Sequence, residues 1–252
     1  MDWWQYVVAI LGGFLAGIIN TLAGNGSVIT LTILTEVLGL PGNLANGTNR
    51  IGVFAQTSVG AWSFYRNGKL PFRRTRYYIL ISVIGAILGV LIATRISNDQ
   101  FRSIFSYLLV LMLVVILVKP QRWLRETDLN SQLPWYLSTP LFLAIGFYGG
   151  FIQMGMGIFF LAVMVLCARF SLTESNAVKL LVVGIYTALV IAIFAWNGLI
   201  DWRIGGIIAI GQFAGGWLTA EFASNNAHAN IWAHRLLIIM VSLAVIKLFF
   251  TG

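Results

Sequence analysis

Long apolar runs separated by short loops are the feature that most constrains how this chain folds. Hydrophobic residues make up 59% of its 252 residues and charged residues 10%, whereas a soluble domain carries roughly 25% charged residues. A helix needs about 20 residues to cross a bilayer. Ten apolar segments can be read, near residues 4–20, 28–40, 44–65, 77–94, 101–118, 135–153, 158–168, 176–196, 203–220 and 232–250. The sequence therefore predicts an all-α integral membrane protein.

The basic residues lie in the loops between these segments. The loops after the third and fifth segments hold Arg66, Lys69, Arg73, Arg74, Arg76, Lys119, Arg122 and Arg125. An excess of Lys and Arg marks the cytoplasmic loops of membrane proteins. We therefore predict a multi-pass protein of the cytoplasmic (inner) membrane with both termini outside. The net charge of +8 does not indicate nucleic-acid binding, because a nucleic-acid binder gathers its basic residues on one face or arm.

No residue pattern for catalysis or metal binding is visible in the sequence. The single cysteine, Cys167, lies in an apolar run, where a small buried side chain is the simpler interpretation. His228 and His234 have no nearby carboxylates at metal-ligand spacing. A Ser-His-Asp set, a Cys-His set and a phosphate-binding loop with lysine are all missing from the sequence. The sequence predicts no enzyme activity, no metal and no cofactor.

The two halves of the chain resemble each other. When the first half is shifted by 130 residues, Asn46 aligns with Asn176, and other matches follow in the same order. A preserved order of matches indicates an internal repeat. Because five segments per repeat is an odd number, the second repeat must enter the membrane from the opposite side. We therefore predict two inverted repeats, residues 1–120 and 135–252, joined by a cytoplasmic linker at residues 121–134.

Each repeat contains a glycine-rich break followed by a segment too short to span comfortably. Residues 24–27 (GNGS) precede segment 28–40, and residues 155–157 (GMG) precede segment 158–168. Irregular backbone is tolerated inside a bilayer only where it is buried in protein or lines a cavity. Broken helices at matching positions are typical of the substrate sites of secondary transporters. The alternative is that these glycines only allow helices to pack closely.

The third segment carries a polar stripe. Asn46, Asn49 and Arg50 lie on one helical face, and Gln56 follows seven residues after Asn49. An arginine at the bilayer centre costs about 2.5–3.5 kcal/mol on insertion scales, so we interpret this stripe as the wall of a wet pathway. The alternative is that Arg50 extends its side chain to the membrane interface.

The second half supplies a matching cation, Lys179, at the position aligned with Asn49. Lys179 could equally extend its side chain to the membrane interface instead of contributing to the site. Asn20 and Gln153 lie just before the two breaks, where their amides can donate to an oxyanion or cap loose backbone carbonyls. The candidate substrate-binding residues are Asn20, Gly24, Asn25, Gly26, Ser27, Asn46, Asn49, Arg50, Gln56, Gln153, Gly155, Met156, Gly157 and Lys179.

Short motifs in both halves resemble the signatures of the TauE/SafE sulfite exporter family. They are residues 12–17 (GGFLAG), 23–27 (AGNGS), 46–50 (NGTNR), 146–150 (GFYGG), 155–157 (GMG) and 176–179 (NAVK). The resemblance covers the whole chain and implies passage of small sulfur-containing anions, such as sulfite and sulfonates, across the cytoplasmic membrane. Asn25 and Met156 depart from the family pattern, which often has glycine at both positions, and each adds a side chain at the expected site.

These observations predict a secondary transporter that exports sulfite or an organosulfonate such as sulfoacetate, by alternating access around a midplane anion site. A sulfite or sulfonate group needs several N–H donors and a cation, and the candidate residues supply both. Uptake of the same or other small oxyanions is an alternative. An intramembrane lipid-modifying enzyme and a structural or sensory subunit are rival classes. The expected partners are the anionic substrate and the lipid bilayer, and a homo-oligomer is compatible with the sequence.

Overall fold

The computed structural model describes residues 2–117, 134–168 and 170–223, and every secondary-structure element in these ranges is a helix. The nine helices are α1 (Trp3–Ala23), α2 (Ser27–Val37), α3 (Gly42–Arg66), α4 (Phe72–Ala93), α5 (Asn98–Leu117), α6 (Trp135–Phe151), α7 (Met156–Cys167), α8 (Leu172–Trp196) and α9 (Trp202–Ala223). The predicted segment 232–250, nearly all of the predicted linker, His228 and His234 lie outside the described residues. The predicted all-helical fold is confirmed.

Four of the described helices are long and apolar enough to cross a membrane. They are Trp3–Ala23, Thr75–Ala93, Asn98–Val115 and Leu172–Trp196. Helices α3 and α8 are equally long, at 25 residues each, but the polar stripe predicted for α3 lowers its hydropathy. Each of the first nine predicted segments coincides with a helix. The number of membrane crossings stays a prediction.

Both predicted breaks interrupt the helices. Helix α1 ends at Ala23, and Gly24 adopts a left-handed conformation, with a φ of 72°. Its N–H donates to the carbonyls of Ile19 and Asn20, as is common for a glycine that ends a helix. After α6, the backbone is left-handed at Gln153 and at Gly155, with φ values of 63° and 72°. Helices α2 and α7 then begin, and each finishes in a five-residue π-helical turn.

Helices α3 and α8 form a central antiparallel pair. A Cβ atom added at Gly47 of α3 would meet Phe194 near the end of α8, whereas one at Gly60 would meet Leu180 near its start. The contacts thus run in opposite directions along the two helices. This pair carries most of the buried polar side chains that the sequence analysis selected, so it positions the candidate site.

Two parallel helix pairs flank the central pair, and each joins the two halves of the sequence. A Cβ added at Gly17 of α1 would lie 2.5 Å from the carbonyl oxygen of Gln212 in α9. A Cβ at Gly85 of α4 would lie 2.2 Å from the carbonyl oxygen of Leu143 in α6. Small residues allow this close approach of helix backbones in membranes. Helix packing therefore crosses the predicted division at residues 121–134.

Candidate functional site

The two helix breaks contact each other at Gly24 and Gly157, and we call the region around this contact the centre. The backbone N–H of Gly157, in the first turn of α7, donates to the carbonyl oxygen of Gly24 over 3.1 Å. A Cβ atom at Gly24 would lie 2.3 Å from the Gly157 Cα, and one at Gly157 would lie 2.2 Å from the Gly24 Cα. Only glycine fits at these two positions, because any side chain would separate the breaks.

Arg50 reaches from α3 to the C-terminal end of α6. Its Nη1 donates to the carbonyl oxygen of Gly149 over 2.6 Å and also to the side-chain oxygen of Gln153. Its Nη2 donates to the carbonyl of Gly150 over 3.0 Å and to Asn46 Oδ1 over 3.2 Å. The last carbonyls of a helix lack partners and carry partial negative charge. The guanidinium therefore stabilises the end of α6.

Lys179 makes the corresponding contact in the other direction, from α8 to the C-terminal end of α1. Its Nζ donates to the carbonyl oxygens of Asn20 and Thr21, each over 3.1 Å, and to Asn176 Oδ1 over 2.8 Å. Each half thus sends a cation, accompanied by an asparagine, to the first helix of the other half. Both cations are buried, so neither extends to the interface.

Carbonyl and amide oxygens, rather than carboxylates, surround these two cations. Within the described residues, every hydrogen bond of Arg50 and Lys179 goes to a backbone carbonyl or to an Asn or Gln side chain. The positive charges are therefore not cancelled by a protein anion in this part of the chain. A buried charge without a counter-charge is costly, and an anionic ligand would lower that cost.

Part of the polar stripe on α3 bridges to α1 and α2. Asn20 Nδ2 donates to Gln56 Oε1 over 2.6 Å, and Gln56 Nε2 donates to the hydroxyl of Thr21 over 2.9 Å. The hydroxyl of Thr30 donates to Asn49 Oδ1 over 2.5 Å. These bonds connect α3 to both sides of the first break, and they hold Asn20 beside the centre.

Asn25 is buried without a protein partner. Its side chain is completely inaccessible, and neither its Oδ1 nor its Nδ2 hydrogen-bonds to any described residue. A Cβ placed at Gly155 would lie 3.2 Å from Asn25 Oδ1, so the amide lies beside the second break. The Ser27 hydroxyl, Asn49 Nδ2 and Arg50 Nε are likewise unpaired among the described residues. An unpaired buried polar group costs about 1–3 kcal/mol, which favours a role in binding a ligand.

A small closed cavity of about 10 Å³ lies where the breaks meet. Six of the predicted residues line it, together with Thr57, Leu180 and Val183: Asn20, Gly24, Gln153, Met156, Gly157 and Lys179. This volume holds about one water molecule. Arg50 and Asn46 are not part of this lining. Arg50 donates to Gln153, which lines the cavity, and to Asn46. Gly26 instead packs on α1, because a Cβ there would lie 2.1 Å from the carbonyl oxygen of Ala16.

Several buried polar residues were not predicted from the sequence as site residues, including Thr57, which lines the cavity. Tyr186, Thr187 and Gln212 have side-chain atoms without partners among the described residues. The Tyr186 hydroxyl lies 2.6 Å from where a Cβ of Gly149 would be, beside the carbonyls that Arg50 binds. The 130-residue shift places Tyr186 opposite Gln56, and this alignment is the signal that could have identified it. Gln212, a single amide in an apolar helix, offered no such signal.

In this chain, two broken helices face a buried polar region that contains two cations. This arrangement is typical of membrane transporters. The profile of the family "Sulfite exporter TauE/SafE" matches residues 9–248, so the chain belongs to this family. A "Probable membrane transporter protein ORF9" of Sinorhizobium sp is 29% identical over 93% of this chain and 89% of its own length. A "Probable membrane transporter protein" of Haemophilus influenzae is 26% identical over 83% of this chain and 81% of its own length. No solved structure gives a significant match.

These findings establish a multi-pass membrane protein, and they indicate a transporter rather than an enzyme. A "Probable membrane transporter protein YdhB" of Bacillus subtilis is more distant, at 23% identity over 86% of this chain and 90% of its own length. Within the described residues, no group of three or more His, Cys, Asp or Glu side chains could hold a metal ion.

Proposed function

We propose that this protein is a secondary transporter that exports a small sulfur-containing anion, sulfite or an organosulfonate such as sulfoacetate, across the cytoplasmic membrane. The observation that carries the proposal is the meeting of the two breaks, with Asn25 unpaired beside them and a cation at each adjoining helix end. The anion binds between the breaks and is carried by alternating access.

The chemistry of the centre suits an oxyanion. A sulfite or sulfonate group presents several acceptor oxygens and at least one negative charge. The Asn25 amide offers unused donors, and hydrogen bonds from polar groups to a charged acceptor are roughly twice as strong as neutral ones. The nearby positive charges of Arg50 and Lys179 favour an anion over a neutral solute of the same size.

We further propose ten crossings in two inverted repeats, with both termini outside. The antiparallel pairing of α3 and α8 and the matching breaks support an inverted arrangement. Alternating access requires two groups of helices that move relative to each other. Because α1 packs on α9 and α4 packs on α6, each such group contains helices of both repeats. A cavity of about 10 Å³ is too small for sulfite, so the described conformation corresponds to a closed state that opens by separating the breaks.

Uptake of the same or other small oxyanions is the second candidate. The same site serves both directions, because the direction of a secondary transporter depends on gradients and coupling. An intramembrane lipid-modifying enzyme has less support. The cavity lining contains one hydroxyl, Thr57, and one amine, Lys179, but the hydroxyl donates to carbonyls of its own helix and the amine donates to α1 and to Asn176. The two groups therefore do not form a nucleophile–base pair.

A binding panel followed by a flux assay tests the proposal. The purified protein is melted with sulfite, sulfoacetate, taurine, sulfate, phosphate or a neutral sugar. A ligand present at 100 times its Kd stabilises the folded state by about 2.7 kcal/mol, so sulfite or a sulfonate is expected to raise Tm while the sugar is not. Proteoliposomes should then move the labelled anion unaltered. Chemical conversion of the anion, or no shift and no flux with any sulfur anion, would refute the proposal.

A further inference from the structure

The amino group of Lys179 occupies a position that has the chemistry of a cation site. Three oxygens surround Nζ at 2.8–3.1 Å: the carbonyls of Asn20 and Thr21 in the last turn of α1, and the side chain of Asn176. In transporters with broken helices, carbonyls at half-helix C-terminal ends coordinate the coupling Na⁺ or H⁺. Here a side chain of the protein itself fills that position.

All the hydrogen-bonding capacity of Lys179 is used by the protein. An ammonium group has three donors and no acceptor, and the bonds to Asn20, Thr21 and Asn176 use all three donors. Lys179 also lines the central cavity, where its charge acts on a ligand through space. The amine therefore supplies positive potential without a free N–H group for the anion. It is a positioning residue that also holds the end of α1 beside the breaks.

Arg50 fills the equivalent position at the other helix end. Its two terminal nitrogens make four hydrogen bonds to the last turn of α6 and to the Asn46 and Gln153 side chains. Both half-helix ends that face the centre are thus closed by protein cations. Among the described residues, protein cations bind the carbonyls of Asn20 and Thr21 at one end and those of Gly149 and Gly150 at the other.

We propose that Lys179 is a tethered cation that replaces a co-transported alkali ion at the end of α1, so that anion transport requires neither Na⁺ nor K⁺. This inference rests on the proposed function for its transport consequence. Its structural part, the occupation of a cation site by Nζ, stands on the geometry of the three oxygens alone.

Ion replacement with the wild-type protein is the first test. Proteoliposomes are loaded with labelled sulfite, and efflux is compared in media containing Na⁺, K⁺ or choline as the principal cation at equal ionic strength. The proposal expects equal flux in all three media. Flux that appears only with Na⁺ or only with K⁺ would overturn it. Absence of flux in every medium would instead refute the proposed function. In that case the second test decides whether Lys179 occupies a cation site.

Chemical rescue is the second test and does not depend on transport. Lys179→Ala leaves the three oxygens around a space that a small ammonium ion can enter, whereas Lys179→Met removes the charge but fills the space. Methylammonium should raise the Tm of the alanine variant and leave the Tm of the methionine variant and of the wild type unchanged. If sulfite is transported, flux of the alanine variant should fall by about tenfold or more and recover with methylammonium.

The two variants separate a tethered cation from a side chain that only packs. The proposal would be overturned if methylammonium raised the Tm of both variants or of neither. It would also be overturned if Lys179→Ala transported sulfite as fast as the wild type without methylammonium. If the alanine variant cannot be purified in folded form, the ion-replacement result with the wild-type protein remains decisive for the transport consequence.

Discussion

Gly24 and Gly157 lie in direct backbone contact, joined by a 3.1 Å hydrogen bond from the Gly157 N–H to the Gly24 carbonyl. The two residues belong to different halves of the sequence: Gly24 caps the end of α1, and Gly157 lies in the first turn of α7. This single contact brings the two broken helices together, and it explains why neither position tolerates a side chain.

A methyl group at Gly157 should disrupt the centre. In Gly157→Ala, the Cβ would lie 2.2 Å from the Gly24 Cα, so the breaks must separate; overpacking of this kind costs about 1–3 kcal/mol. We expect a lower Tm and loss of anion flux. Gly206→Ala is the matched control, because nothing lies within 4 Å of its added Cβ and alanine favours a helix by about 1 kcal/mol. Equal Tm and flux in the two variants would contradict the observed contact.

Asn25→Ala should separate binding from stability. The asparagine side chain makes no hydrogen bond to the described residues, so we expect the free energy of unfolding to change by less than about 1 kcal/mol, because the cavity left behind is offset by removal of unpaired groups. The anion-induced rise in Tm should disappear.

Asn49→Ala is the control for this experiment. Its side chain accepts a hydrogen bond from Thr30, so its loss should lower Tm even without ligand, by roughly 1 kcal/mol of stability. Full anion binding by Asn25→Ala would remove Asn25 from the site.

Arg50→Ala should affect both stability and binding. The substitution leaves the carbonyls of Gly149 and Gly150 without their partner, and each unsatisfied buried group costs about 1–3 kcal/mol. Arg50→Lys keeps the charge but loses the planar fork, so it should retain part of the anion-induced Tm shift. An alanine variant that binds sulfite with wild-type affinity would show that Arg50 serves only the end of α6.

The proposed inverted topology can be tested at two exposed helix ends, Asn67 and Asn197. Each follows the last residue of a 25-residue helix, and the 130-residue shift aligns them. In a Cys167→Ala background, Asn197→Cys should react with a membrane-impermeant maleimide applied outside intact cells. Asn67→Cys should react only after permeabilisation. Labelling of both from the same side would exclude inversion of the repeats.

The positions of the breaks could be predicted from the sequence, but their partners could not. Glycines and polar residues stand out in an apolar segment because a bilayer penalises unpaired polar groups. A sequence gives the position of a cation along its own helix and leaves open which helix end it faces. The exchange of Arg50 and Lys179 between the halves was therefore not foreseen, and both residues had the alternative of extending to the interface.

Packing glycines were predictable as a group and ambiguous one by one. Gly24 and Gly157 hold the two breaks together, whereas Gly26 lies against the backbone of α1. Nothing in the spacing of residues 24–27 distinguishes these roles, because the difference depends on which helix lies opposite. The unpaired Gln212 amide was missed for the same reason: its neighbours, including Gly52, come from a distant part of the chain.

The fixed position of Lys179 and Arg50 has an electrical consequence. If these cations stay with the protein, as we propose, no alkali ion accompanies the substrate to compensate its negative charge. One elementary charge moving through 100 mV gains about 2.3 kcal/mol, and at about 1.36 kcal/mol per factor of ten that sustains a concentration ratio of roughly fiftyfold. An inside-negative potential imposed with K⁺ and valinomycin should therefore accelerate efflux. With equal anion concentrations on both sides, reversing the polarity should drive uptake through the same protein.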